Sequence, residues 1–175
     1  VTLSSILGLR MLGLFLILPV LALYVNDIPQ ATPLKIGIAL GIYGLTQAIL
    51  QIPFGYFSDR IGRKPMLVAG LLLFTCGSVI AAIADSINVV ILGRALQGSG
   101  AIASVALALL SDLTREEQRT KAVAILGISI GLSFVIALIA GPILDVVIGL
   151  SGIFWTAALF SLLAVPAVII LLPDA

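Results

Sequence analysis

The sequence predicts an all-α membrane protein in which six transmembrane helices form one bundle. The first observation is composition: 61% of the 175 residues are hydrophobic and 10% are charged, whereas soluble domains are roughly 45–50% apolar and about 25% charged. The second is spacing, because the few charged residues divide the chain into six apolar runs, and ~20 apolar residues suffice to cross a bilayer. The third is a mixture of Leu, Ile, Val, Ala and Gly without period-2 alternation, which does not suit a β-barrel.

The charge and the reactive side chains exclude several functional classes. Nine basic and eight acidic residues give a net charge of +1, so no basic field exists to attract a nucleic acid. The chain has no His and one Cys, which excludes an internal disulfide and a metal site built from His or Cys. It has no G-x-x-x-x-G-K-[ST] string for ATP, and the G-x-G-x-x-A string at residues 98–103 lacks the strand that a dinucleotide site requires. We therefore expect no cofactor, no metal and no enzymatic activity.

Each predicted helix follows from one apolar run. The first run contains only Arg10 as a charge, the fourth contains only Arg94, and the other four contain none. The helices are predicted at about residues 3–25, 36–58, 65–84, 87–111, 121–145 and 152–172, in a single domain over residues 1–175. The first run is too long for a signal peptide and leads into five more spans. The opening Val1 suggests that the natural chain begins earlier.

The loop charges predict the topology. Consecutive helices are joined by short loops, so they are expected to be antiparallel neighbours. Six of the seven loop cations fall on one side of the membrane, and the positive-inside rule makes that side cytoplasmic. The six are Arg60, Arg63, Lys64, Arg115, Arg119 and Lys121, whereas Lys35 lies on the other side. Both termini are then cytoplasmic in a multi-pass protein of the cell membrane.

Glycines follow one face of the second helix and one face of the fifth. They are Gly37, Gly41 and Gly44 in the second helix, and Gly127 and Gly131 in the fifth. Small residues allow close helix contacts in a bilayer. Two interpretations stay open: these faces pack inside this bundle, or they form a sliding surface against helices outside this chain.

Polar residues inside the predicted helices are candidates for function. Tyr43, Gln47 and Gln51 form a stripe along the second helix, and an unpaired amide in hydrocarbon costs several kcal/mol, so the stripe must face protein or water. Structural hydrogen bonding and cavity lining are equally compatible with it. Arg94 lies about eight residues into its apolar run, which places it some 12 Å below the start of the helix. A cation there costs ~2.5 kcal/mol or more, so it is a functional candidate unless its side chain snorkels to the interface.

The loop after the second helix carries the clearest motif. Its sequence from Gly55 to Pro65 is GYFSDRIGRKP, which resembles the signature G-x-x-x-D-R-x-G-R-[KR] loop of the major facilitator superfamily. A merely solvated loop would explain the cations but not the acid and two glycines at these spacings. The resemblance assigns a conformational switch to this loop, with Gly55, Asp59, Arg60, Gly62, Arg63 and Lys64. It also implies that an acid at the end of helix 4, here Asp112, pairs with Arg63.

Further strings support the same resemblance. Residues 94–101 read RALQGSGA and resemble the superfamily's R-x-x-Q-G-x-G-A motif, which includes Gln97 and Gly98. Leu12-Gly13 followed by Pro19 resembles the helix 1 motif of drug-efflux antiporters. Gly141-Pro142 resembles the start of their G-P-x-x-G-G motif in helix 5, although Asp145 and Val146 stand in place of the paired glycines.

The resemblance implies half of a twelve-helix transporter. Each half contains two inverted three-helix repeats, and this chain corresponds to the N-terminal half, cut before a central loop near Asp174 and Ala175. Helices 1 and 4 would line a central cavity, and helices 2 and 5 would face the other half. The implied partners are the lipid bilayer, the absent C-terminal half and a small-molecule substrate.

The expected function is secondary active transport by alternating access, with efflux of small amphipathic compounds. Coupling to protons stays open, because all eight acids lie in loops or at helix ends. Arg10 and Arg94 would favour anionic or neutral substrates. The alternative is a non-transporting or self-pairing six-helix membrane protein.

Overall fold

The computed structural model describes residues 1–174, in which the regular structure is helical. The α-helices are α1 (Thr2–Leu21), α2 (Pro33–Ile61), α3 (Arg63–Ala82), α4 (Ile87–Ser99), α5 (Ala103–Leu113) and α6 (Arg119–Leu171), with short 3-10 turns at Ala22–Tyr24 and Glu116–Gln118. Five stretches of these residues are long and apolar enough to cross a membrane: Thr2–Tyr24, Pro33–Ile61, Arg63–Ala82, Ile87–Leu113 and Glu116–Leu171. Ala175, at the predicted cut before a central loop, lies outside the described residues.

Local capping explains the ends of α2. The Thr32 hydroxyl accepts a hydrogen bond from the Lys35 N–H at 3.2 Å, and Pro33 occupies the first helical turn, where its missing N–H costs nothing. The helix therefore begins at Pro33 rather than near residue 36. It continues to Ile61 rather than ending near residue 58, and it stops where Gly62 adopts a φ of 116°. Glycine is the residue that adopts such a positive φ without strain, so α3 can start at once.

The predicted fourth helix is two helices in the structure. The interruption lies at residues 100–102, between α4 and α5, so the prediction of one continuous helix over residues 87–111 was wrong. Gly100 lies so close to the Gly70 carbonyl oxygen of α3 that a Cβ at residue 100 would collide with it. The carbonyl of Gly100 accepts from the Ile102 N–H at 2.9 Å and is free of the regular helical pattern. The Gly100 carbonyl oxygen can therefore accept a further hydrogen bond in the space between α3 and α1.

The predicted fifth and sixth helices both lie within α6, which is broken at Gly149. A straight helix of 53 residues would be ~80 Å long, against a hydrocarbon core of about 30 Å. Gly149 has φ 70° and ψ −179°, which no α-helix contains. We call residues 119–148 the first arm and residues 150–171 the second arm.

The two arms run along α1 in opposite directions. In the first arm, the Ser133 hydroxyl donates to the Gly8 carbonyl at 2.8 Å, and a Cβ at Gly141 would lie 3.0 Å from the Leu16 carbonyl oxygen. In the second arm, Ala157 packs against Gly13, and Val168 belongs to the core near the start of α1. The chain therefore reverses direction at Gly149.

The helices enclose two clusters of buried apolar side chains. One contains Leu3, Leu7, Leu71, Leu109 and Val168 near the end of the bundle with the six loop cations, which we call the basic end. The other contains Ile17, Leu21, Phe74, Ile87 and Phe154 towards the opposite end.

Burial differs sharply between helices. In an 18-residue apolar window, 56% of the residues are buried in α1, in α3 and in the α4–α5 pair. The figure is 17% for α2 and for α6. The bundle thus leaves much of two apolar helices uncovered.

Candidate functional site

A buried arginine cluster occupies the interior of the bundle. The Arg94 side chain is 0% exposed. Its Nε donates to the Ala39 carbonyl at 3.0 Å and its Nη2 to the Leu40 carbonyl at 3.5 Å, while Nη1 donates to Gln97 Oε1 at 3.0 Å. Its guanidinium carbon lies 4.9 Å from the centre of the Tyr43 ring, a cation–π distance. The side chain therefore points into the bundle and does not snorkel to an interface.

Gln97 extends this cluster to α3. Its Nε2 donates to the Ser78 hydroxyl at 2.7 Å, and that hydroxyl donates to the Phe74 carbonyl at 2.8 Å. Gln97 and Ser78 are both 0% exposed, so the chain of bonds is shielded from solvent. Ser78 was missed by sequence reasoning, because one Ser in an apolar helix commonly bonds only its own backbone.

Arg10 of α1 completes the cluster from the other side. Its Nη2 donates to the Gly100 carbonyl at 2.9 Å and to the Tyr43 hydroxyl at 3.3 Å. Its guanidinium carbon lies 4.8 Å from the centre of the Phe74 ring. The side chain is 1% exposed, yet Nε and Nη1 have no hydrogen-bond partner in residues 1–174. Tyr43 thus lies between two buried cations, with its hydroxyl on Arg10 and its ring under Arg94.

Close backbone contacts between glycines hold the cluster together. A Cβ at Gly98 would collide with the Tyr43 carbonyl and the Thr46 hydroxyl, so α4 packs directly on the α2 backbone. A Cβ at Gly77 would lie 2.6 Å from the Gly93 carbonyl oxygen, and one at Gly93 would lie 2.7 Å from the Gly77 carbonyl oxygen. The Gly77–Gly93 crossing was not foreseen, because the sequence alone does not give the register of α3 against α4.

The predicted glycine faces of α2 and α6 are open. A Cβ at any of the five residues would have nothing within 4 Å: they are Gly37, Gly41, Gly44, Gly127 and Gly131. The interpretation that they pack inside this bundle therefore finds no contact in the structure. Beside them, the Oε1 atoms of Gln47 and Gln51 are buried without a hydrogen-bond partner in the described chain.

The Gly141-Pro142 pair has a different setting. Gly141 is buried against α1, where a Cβ would lie 3.0 Å from the Leu16 carbonyl oxygen and 3.1 Å from Pro19 Cγ. Pro142 is exposed, and α6 continues through it as far as the break at Gly149.

A second charged site lies at the basic end. Arg63 Nη1 lies 2.5 Å from Asp59 Oδ1, and Arg63 Nε lies 3.1 Å from Asp112 Oδ2. Nη1 also donates to the Ser58 hydroxyl at 2.6 Å. The Arg63 side chain is 17% exposed, and those of Asp59 and Asp112 are 62% and 45% exposed. One guanidinium therefore joins the end of α2 to the end of α5, in the pairing that the family resemblance implied.

The remaining loop residues lie around this site. The Arg60 guanidinium stacks 4.6 Å from the centre of the Tyr56 ring. Lys64 Nζ lies 3.1 Å from Asp174 Oδ1. A Cβ at Gly55 would meet only the Ser104 side chain, at 3.6 Å. Arg60 and Lys64 are thus engaged away from the Asp59–Arg63–Asp112 network.

At the opposite end, Tyr24 connects α1 to both arms of α6. Its hydroxyl donates to Asp145 Oδ1 and accepts from the Leu150 N–H at 3.3 Å. Sequence comparison with the antiporter motif singled out Asp145 only as a departure. The structure gives it a partner beside the break at Gly149.

Comparison with known proteins adds three findings. Residues 3–175 match the family model described as Major Facilitator Superfamily. The chain is 55% identical over 172 residues to the inner membrane transport protein YajR of Escherichia coli strain K12, covering 98% of this chain and 38% of YajR. It is 35% identical over 136 residues to the class B tetracycline resistance protein of Escherichia coli, covering 76% of this chain and 33% of that protein.

A solved structure shows the same fold. The peptide transporter POT in complex with sulfate superposes with a TM-score of 0.82 at 17% identity, covering 96% of this chain and 36% of that one. The chain thus spans less than half the length of these matched proteins.

Proposed function

The chain belongs to the Major Facilitator Superfamily, and from that premise we propose that it forms the N-terminal half of a secondary active transporter working by alternating access. The proposed cargo is small amphipathic compounds, moved outward across the inner membrane. The names of the relatives support transport, and the tetracycline resistance protein supports efflux.

The main support for this proposal comes from the open faces of α2 and α6. Both helices are apolar, yet only 17% of an 18-residue window is buried in each. The glycines on these faces hold no side chain in the way, because a Cβ there would have nothing within 4 Å. A second bundle could therefore pack closely against both faces. The C-terminal half is that proposed partner, because the chain covers 38% of YajR.

Six membrane crossings are proposed for the chain, in two inverted three-helix repeats. The two arms of α6 support this number, because they run along α1 in opposite directions and meet at Gly149. The six loop cations support placing the basic end, and with it both termini, in the cytoplasm.

The basic end is the proposed switch between the two access states. Asp59 is 62% exposed although it pairs with Arg63, so its carboxylate is accessible to a helix of the second half. A helix N-terminus favours a carboxylate by ~0.3–1 kcal/mol when exposed and by up to about 2 kcal/mol when partly buried. Such a contact exists only while the cytoplasmic side is closed, so it would favour the outward-facing state.

Proton coupling is proposed to depend on both halves. The eight acids of this chain lie in loops or at helix ends, and the three ion pairs of residues 1–174 lie at the basic end. A titrating carboxylate is therefore assigned to the second half. Arg94 would act as the buried cation that responds to it.

Liposomes that contain the full-length protein test the proposal. Efflux of fluorescent amphipathic compounds is measured with and without an imposed pH gradient. We expect flux that increases several-fold with the gradient and that is absent when the 175-residue chain is reconstituted alone as a monomer. Robust flux by that monomer, or none by the full-length protein towards any compound of a broad panel, would contradict it. A stable dimer of the short chain would favour the self-pairing alternative.

A further inference from the structure

We propose that Arg10 and the apolar cavity beside it form a binding subsite for an amphipathic anion. The carboxylate or sulfonate of the ligand would pair with the Arg10 guanidinium, and a compact apolar body would occupy the cavity. This inference names the substrate class of the proposed transporter and therefore rests on the proposed function.

The cavity has the size and lining for a small apolar group. It measures about 220 Å³ and lies between α1, α5 and the first arm of α6. Leu107, Leu126 and Ile130 contribute to its walls, and Arg10 is the charged residue that lines it. Drug-sized ligands fill pockets of roughly 300–1,000 Å³, so this volume suits one fused ring pair or a short chain.

Arg10 has bonding capacity that Arg94 lacks. Arg94 uses Nε, Nη1 and Nη2 in hydrogen bonds to Ala39, Gln97 and Leu40. Arg10 uses only Nη2, and its Nε and Nη1 are buried without a partner in residues 1–174. A buried donor without an acceptor is costly, and more so on a charged group. Both atoms are buried in this structure, so the guanidinium would turn towards the cavity to reach the acceptors of an anionic ligand.

The missing counter-charge points to an anion rather than to a neutral acceptor. The ion pairs of the described residues involve Arg63 and Lys64, and none involves Arg10. The contacts of Arg10 are a carbonyl, a hydroxyl and the Phe74 ring, which carry no formal charge. Burial of a cation is strongly unfavourable unless it is paired. A carboxylate or sulfonate meets this need directly.

The cavity borders the proposed interface with the second half. Gly127 lines it and also belongs to the open glycine face of α6. A ligand could therefore enter from the space between the two halves. Because a Cβ at Gly127 would have nothing within 4 Å, a larger side chain there would fill the cavity without displacing the bundle.

The test measures binding to full-length protein in lipid nanodiscs. The probes are tritiated naphthalene-2-sulfonate as the anion and 2-naphthylmethylamine as the cation of matched shape. We expect saturable binding of the sulfonate and at least tenfold weaker binding of the amine. Arg10→Gln should weaken sulfonate binding by at least about tenfold, the factor that corresponds to 1.4 kcal/mol, and Arg10→Lys should recover part of the loss.

A second pair of variants makes the test independent of whether the Arg10 variants fold stably. Gly127→Leu should weaken sulfonate binding about tenfold or more by filling the cavity. Ala124→Leu adds the same side chain on α6 at an exposed residue outside the cavity lining, and it should bind like the wild type. Equal affinity for the two probes, or wild-type affinity in Gly127→Leu, would overturn the anion subsite.

Flux separates this inference from the proposed function. Transport of the sulfonate at the wild-type rate by Arg10→Gln would leave the transporter standing and would overturn the subsite. Arg10-dependent sulfonate binding without flux of any compound would support the subsite and contradict transport.

Discussion

Two arginines connect α2 to the following helices in opposite physical settings. Arg63 at the basic end is held by two carboxylates and a hydroxyl and retains contact with solvent. Arg94 in the interior is 0% exposed and is held by carbonyls, an amide and an aromatic ring. At the basic end the arginine is paired with carboxylates of opposite charge. In the interior the arginine contacts only neutral polar groups and an aromatic ring.

The difference indicates separate tasks. An exposed ion pair contributes ~0–1 kcal/mol, so the Arg63 network can open and close at little cost to folding. A buried cation held by dipoles loses far more when a partner is removed. We therefore expect changes in the interior to abolish function or stability, and changes at the basic end to shift a conformational equilibrium.

Replacement of Arg94 is expected to have the largest effect. Arg94→Ala removes three hydrogen bonds from a guanidinium, and each bond to a charged group contributes ~1.5–3 kcal/mol. We expect transport to fall more than a hundredfold and the melting temperature to fall by several degrees. Arg94→Lys should recover only part of both, because an ammonium cannot reproduce the planar fork. Flux and thermal unfolding measure the two effects, and an Ala variant with the wild-type rate would remove Arg94 from the functional cluster.

The next largest effect is expected for substitution of Gly98, because this residue sets the distance between α4 and α2. In Gly98→Ala the new methyl group would collide with the Tyr43 carbonyl and the Thr46 hydroxyl. Overpacking of this kind costs ~1–3 kcal/mol. Gly55→Ala is the matched control, since its Cβ would meet Ser104 only at 3.6 Å, an ordinary contact. Thermal unfolding of both variants should show a loss for Gly98→Ala alone; equal melting temperatures would mean that the α4–α2 contact tolerates a side chain.

A smaller effect is expected at Asp59. Asp59→Asn keeps the shape of the side chain but removes the charge that pairs with Arg63 and with the proposed helix of the second half. A loss of about 1.4 kcal/mol would shift the ratio of access states about tenfold. We expect transport to fall several-fold while the melting temperature stays within about a degree. A large loss of stability would show instead that the basic end is needed for folding.

The smallest effect is expected for Asp112. Its carboxylate is 45% exposed and contacts only the Nε of Arg63, so Asp112→Asn should cost less than ~1 kcal/mol. Transport should change by no more than about threefold, and the change should shrink in high salt because exposed pairs are screened. A salt-independent loss larger than that of Asp59→Asn would reverse the proposed order of the two acids.

Sequence reasoning went furthest where the signal is local. The apolar runs predict where helices lie, but the fourth run is divided into α4 and α5, and the fifth and sixth runs are the two arms of α6. Thr32-Pro33 and Gly62 explain the ends of α2. The motif around Arg63 assigned Asp112 as a partner 49 residues away, because the family resemblance carried that long-range information. The depth of Arg94 could be estimated from its place in the run, and the structure places it in the interior.

The contacts between helices could not be predicted from a single sequence. Gly77 contacts Gly93, and Gly70 contacts Gly100. Both contacts depend on the relative register of two packed helices, which no short motif encodes. The break between α4 and α5 lies at that Gly70 contact, and the apolar run alone predicted one helix. Ser78 and the unpartnered atoms of Arg10 likewise become visible only when the neighbouring helices are in place.

The separation of tasks between the two arginine sites can be tested in one labelling measurement. A single reporter cysteine replaces Ala48, one turn beyond Gly44 on the open face of α2, in full-length protein that carries Cys76→Ser. Its rate of modification by a membrane-impermeant maleimide, added from the cytoplasmic side, reports how often that side opens. We predict a rate about tenfold higher in Asp59→Asn and within about twofold of the parent in Arg94→Lys. An unchanged rate in Asp59→Asn, or an equal increase in both variants, would contradict the assignment of the switch to the basic end.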